Sequence, residues 1–83
     1  MLHDSLNQLR DIADNDVPRE TAQQLINSLN EVIGKVKAHD PNGSSTNLGD
    51  AITALAAAIS STEEALAAMS TGADHINDAA NNV

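Results

Sequence analysis

Three histidines, twelve carboxylates and a set of Ser and Thr hydroxyls are the residues of this chain that could hold a metal or move a proton. A zinc centre needs about four N, S or O ligands gathered at one point. His3, His39 and His75 are scattered along the sequence, and there is no Cys to join them. His75 and Asp78 are three apart and Asp74 and Asp78 four apart, so each pair shares a helical face, which is too few groups for a closed site. Glu63 and Glu64 are adjacent, and adjacent helical positions point apart, so they do not form an acid and base pair. No hydroxyl has a base at a recognisable spacing, and neither a Gly-rich phosphate loop nor a His-Glu-x-x-His pattern is present.

Asp40-x-Asn42-x-Ser44 has the ligand spacing that begins a calcium-binding loop. Its sixth position is Ser45 where Gly makes the sharp turn, and its twelfth is Ala51 where a bidentate Glu belongs. The segment reads as an ordinary turn. No metal, cofactor or small-molecule substrate is expected. A chain of 83 residues without Phe, Tyr or Trp also offers no obvious concave pocket. The expectation is a protein that is not an enzyme and acts by contact.

The elements that would carry such contact are helical. Leu48, Ile52, Leu55, Ile59, Thr62, Leu66, Met69, Ala73, Ile76, Ala80 and Val83 follow one another in alternating steps of four and three. That is a heptad, the pattern of a helix presenting a seam to another helix. Thr62 is its one polar member, and it either fixes register or simply fits through its methyl group. The partner for this seam comes from the rest of the chain or from a second molecule.

Upstream, Leu2, Leu6, Leu9, Ile12 and Ala13 make a first stripe, with Asp4 as a plausible N-cap. Pro18 disfavours helix at Val17 and suits the start of a new helix, with Asp14 to Asp16 available to cap it. A second stripe runs through Ala22, Leu25, Leu29, Val32 and Val36, widened by Ile26 and Ile33. On one wheel the two stripes lie on opposite faces, so the chain is expected to break near Pro18 and reset its phase. Asp40-Pro41-Asn42-Gly43 is a strong turn, followed by Ser45, Thr46 or Asn47 as a cap. Residues Ala79 to Asn82 are expected to fray.

The expected fold is therefore all-α: an antiparallel helical hairpin, its first arm broken near Pro18, dimerising into a four-helix bundle. One domain covers residues 1–83, with helices at about 4–15, 18–38 and 46–80 and a turn at 39–46. Contact surfaces are expected at Leu25, Ile26, Leu29, Ile33 and Val36 on the first arm, and at Leu48, Ile52, Leu55, Ile59, Leu66, Met69 and Ile76 on the second. The edge around Ile26 and Ile33 is expected to be left for an outside partner.

Charge narrows the partner. The net charge is −8, and all four bases lie within residues 1–37, leaving six acids and no base in 38–83. Nucleic acids and anionic membranes are bound through clustered Lys and Arg, which are absent, so neither is expected as a partner. The longest apolar run, Ala54 to Ile59, is far short of the roughly 20 residues that span a bilayer. The opening Met1-Leu2-His3-Asp4 lacks the regions of a cleaved signal peptide, so the chain is expected in the cytoplasm, or secreted without a cleaved leader.

Two near-equal arms, residues 2–38 and 47–83, an acidic balance and the central turn Asp40-Pro41-Asn42-Gly43 give a chain that resembles the small Trp-x-Gly-type helical hairpins of type VII secretion. The similarity lies in arm length and turn position. The Trp-x-Gly turn and the Tyr-containing C-terminal signal of those proteins are both absent here. The resemblance implies a secretion-associated substrate or chaperone-like partner that pairs with itself or with a helical region of a larger toxin. The alternative is a small acidic inhibitor or antitoxin-like regulator that covers a basic protein surface.

Overall fold

The computed structural model describes residues 2–82. Seam position Val83 lies outside the described residues, as do the side chains of Leu2 and His3. Among the described residues the chain is all-helical: α1 (Leu2–Asp11), a π-helical turn (Ile12–Asp16), α2 (Arg19–His39) and α3 (Thr46–Asn81). The body is elongated, with Cα extents of 63 × 15 × 12 Å. α3 packs along α2 and continues along the π turn and α1. The far end is fastened where the Arg10 guanidinium donates to Asn81 Oδ1 at 3.1 Å, across 71 residues of sequence.

The reversal at residues 40–45 is built by one carboxylate. Asp40 accepts the Ser44 N–H at 3.0 Å on Oδ1 and the Ser45 N–H at 2.9 Å on Oδ2. Gly43 N–H closes back on the Asp40 carbonyl at 3.1 Å, with Gly43 at φ 66°, a left-handed conformation that glycine adopts without a Cβ penalty. Ser45 then caps α3, its Oγ accepting the Leu48 N–H at 3.2 Å. Asp40, the first residue of the calcium-loop spacing, thus spends its carboxylate on the backbone of the turn. Asp40→Ala removes an acceptor of two N–H groups, and the urea midpoint should fall by an amount equal to about 1–3 kcal/mol, with Asp40→Asn recovering part of it.

α3 is one helix of 36 residues, and Gly72 does not interrupt it. Its partly or fully buried residues are Leu48, Ala51, Ile52, Leu55, Ala58, Ile59 and Thr62, then Leu66, Met69, Ser70, Ala73, Ile76, Asn77 and Ala80. The second set is the first displaced by 18 residues. Eighteen residues are five turns at 3.6 per turn. The buried line therefore follows a straight helix, and the heptad drifts across it by about 20° per repeat. This drift is why Ala51 and Ala58 are covered near the reversal, whereas Ser70 and Asn77, on the opposite flank of the heptad, are covered at the far end. Thr62 Oγ1 donates to the Ala58 carbonyl at 2.7 Å, so the one polar seam residue is satisfied within its own helix. At the far end α3 stays helical through Asn81, and Ala80 is only 2% exposed, where fraying was expected. Packing against α1 and the Arg10 hydrogen bond supply the missing stability.

Two features of the first arm differ from expectation. The segment 12–16 is a π turn, closed by Val17 N–H donating to the Ile12 carbonyl at 3.2 Å, five residues back. A π turn inserts one extra residue, which rotates the following chain by about 100°. Together with extended Val17 (ψ 117°), it carries out the phase reset between the two stripes. Asp14 to Asp16 do not cap α2: Pro18 is its N-cap residue, without a side-chain hydrogen bond, and the Arg19 guanidinium instead donates to the Ala13 carbonyl at 3.2 Å. Ile12, expected on the buried stripe, is 39% exposed, while Ala13 is fully buried.

The second difference is the register of α2. Its buried line is Ala22, Ile26, Leu29, Ile33 and Val36, and Leu25 (50%) and Val32 (44%) are exposed. The edge around Ile26 and Ile33 faces α3, the reverse of the expectation. Both registers share Ala22, Leu29 and Val36. Covering two Ile in place of a Leu and a Val removes one more carbon from water, worth about 0.8 kcal/mol.

Candidate interaction surface

The core that results is thin. Among the described residues Ala13, Ala22, Ile26, Ile33, Ala73 and Ala80 are buried, and no large side chain is fully enclosed. The three most completely buried, at 2% or less, are alanines. Small side chains let helix backbones approach, but they remove little apolar area from water. Of the residues expected to make contacts, Leu29, Val36, Leu48, Ile52, Leu55, Ile59, Leu66, Met69 and Ile76 are half-buried along the line where α3 meets the first arm, and Ile26 and Ile33 are buried in it. Leu25 alone of that set stands out as an exposed large side chain.

Leu25 borders a groove of about 330 Å³ between the two arms. Pro18, Thr21 and Ala22 form its α2 wall, and Ser61, Thr62, Ala65 and Met69 its α3 wall. A shallow groove is thus present where no obvious concavity was expected, beside the break between the π turn and α2. The groove belongs to a larger side of the molecule. On α2, Pro18, Thr21, Leu25, Ser28 and Val32 share one flank of the buried line. On α3 the matching flank is Ala51, Ala54, Ala58, Ser61 and Ala65. Neither set contains an ionisable residue. Glu63, Glu64, Asp74 and Asp78 all fall on the back or the opposite flank of α3, and Asp50, one turn before Ala54, stands at the rim of the uncharged flank.

A second cleft of about 330 Å³ lies at the bend, lined by Asp14, Asn15, Val17, Pro18, Arg19, Glu20 and Thr21. Its guanidinium is engaged with the Ala13 carbonyl, it contains no His, and Thr21 is its only hydroxyl. No nucleophile and base are paired in it. Among the described residues no three His, Asp or Glu side chains gather as a metal site. His39 closes α2 near the reversal, and His75 lies toward the far end of α3. Among those residues, too, no helix is long and apolar enough to cross a membrane.

Pro18, Thr21, Ser61, Ala65 and the alanines at 51, 54 and 58 are absent from the contact set drawn from the sequence. Large apolar residues dominated that set, and an alanine strip adds little to a hydrophobic stripe. The usable signal was the confinement of α3's acids from Glu63 onward to one side of the wheel. Compared with family models, with curated proteins and with solved structures, the chain matches none.

Proposed function

We propose that this chain is a non-catalytic helical interaction protein, a helical hairpin whose uncharged side docks another helical surface. The observation that supports this most is Leu25, half-exposed beside an apolar groove on a side without ionisable residues from Pro18 to Val32 and from Ala51 to Ala65. Helix-in-groove recognition uses such surfaces, with apolar anchors seated between two helices. The arm lengths fit the type VII secretion-like reading, in which the hairpin is a secreted substrate or escorts the helical region of a larger protein.

A second reading has its own support. Glu63, Glu64, Asp74 and Asp78 are spread over the back and opposite flank of α3 with no Lys or Arg among them, which suits an inhibitor covering a basic surface. A photo-crosslinking residue placed at position 25, and separately at position 64, separates the two readings. Protein adducts at position 25 and none at 64 are expected. Adducts at 64 alone, lost as salt is raised, would replace the helical-docking reading with the acidic-inhibitor one.

A further inference from the structure

The uncharged side has a shape that its own copy fits. One ridge is large, formed by Leu25 and Val32 on α2, and beside it runs a shallow trough of Ala54, Ala58, Ser61 and Ala65 on α3. The groove shows that Leu25 stands level with Ser61 and Ala65. Counting back along the two arms puts Val32 level with Ala54. We propose that a second copy of this chain covers this side, in a parallel pair related by a two-fold axis along the molecule. This rests on the docking reading above and names its partner.

Such an axis preserves height and exchanges ridge for trough. Leu25 of one copy falls on Ser61 and Ala65 of the other, and Val32 falls on Ala54, twice over by symmetry. The alternative two-fold, across the long axis, sets ridge on ridge and trough on trough and leaves the alanine strips unfilled.

Area and charge favour a copy over a foreign helix. A folded chain of 8.6 kDa exposes about 4,700 Å², whereas this one exposes 5776 Å². The surplus of roughly 1,100 Å² exceeds the ~800 Å² that each member of a stable pair covers. The thin core applies to every molecule of the chain, so the cover must be available to every molecule. Two chains of net charge −8 meet at least cost where acids are fewest, and this side carries none between Pro18 and Val32 or between Ala51 and Ala65, with Asp50, Asp14 and Glu20 only at its rim. The remaining repulsion acts across the outer faces and is screened by salt. The pair should therefore tighten as salt rises, opposite to a complex with a basic protein.

Sedimentation equilibrium over a wide concentration range, at low and high salt, tests this. A monomer–dimer equilibrium that shifts toward dimer with salt is expected. Ala65→Glu, at an exposed position where Glu is a good helix former, should weaken the dimer by about tenfold or more while the helical signal persists. Ala67→Glu, on the opposite flank, should leave it unchanged. Mixing Val32→Cys with Ala54→Cys chains should give the mixed disulfide in preference to either symmetric one. A monomer at every concentration, a dimer indifferent to Ala65→Glu, or a dominant Val32–Val32 cross-link would overturn the proposal. A monomer that still forms adducts with another protein at position 25 would remove self-pairing and leave the docking function standing.

Discussion

Ile26→Asp should abolish the folded state, while Leu25→Asp, its neighbour in sequence, should leave most of the helical signal intact at low temperature. Ile26 is 7% exposed on the face that meets α3, and Leu25 is 50% exposed beside the groove. An unpaired carboxylate at the first position costs several kcal/mol. A small domain has only about 5–15 kcal/mol in total, and a core this thin places the chain near the lower end. At the second position the carboxylate stays in water and costs the fold little, although it removes half of the proposed ridge. Circular dichroism with a thermal melt reads both. Equal damage from the two substitutions would mean that α2 buries Leu25 as deeply as Ile26, and the register described above would be wrong.

Ala13→Leu should detach the first sixteen or so residues and spare the rest. Ala13 is fully buried at the π turn, where the chain bends against α3. Three extra carbons have no room there, and overpacking of this kind costs about 1–3 kcal/mol or more. α1 is short and has little stability of its own. It is held by half-buried Leu6 and Leu9 and by the Arg10–Asn81 hydrogen bond. Local opening is therefore cheaper than global unfolding. Trypsin should cut after Arg10 many times faster in the variant than in the parent, with α2 and α3 recovered as one protected helical fragment joined at the reversal. Uniform loss of protection along the whole chain would show instead that α1 and α2 open as one unit.

The helical class and the long α3 were readable because three-and-four spacing over 36 residues admits no strand, and because Asp40-Pro41-Asn42-Gly43 marks the reversal without ambiguity. The register of α2 was not readable. Its apolar residues satisfy two seams that differ only in Leu25 and Val32 against Ile26 and Ile33, a difference of one carbon. The π turn had no local signature either. Asp14, Asn15 and Asp16 suit a cap as well as an extra turn, and packing of α3 against Ala13 decides between them. The proposed docking side was half readable. Leu25 announced itself by size, whereas Ala54, Ala58, Ser61 and Ala65 matter through what they lack, and lack of charge registers only once the helix wheel is fixed against a known buried line.

The Arg10–Asn81 contact also sets how the molecule responds to force. α1 and the end of α3 lie side by side at one end of a body 63 Å long, with the reversal at the other. Tension drawn between those two strands of the bundle loads one contact at a time, starting at that end. The structure then opens like a zipper, turn by turn, and never has to break its whole seam in shear. Ala73 and Ala80, the small residues nearest that end, are the first to let go, and the larger side chains around Ile33 and Ile52 are the last. A chain drawn from this end yields to weak pulling, whereas the same contacts loaded along the axis from opposite ends would resist together.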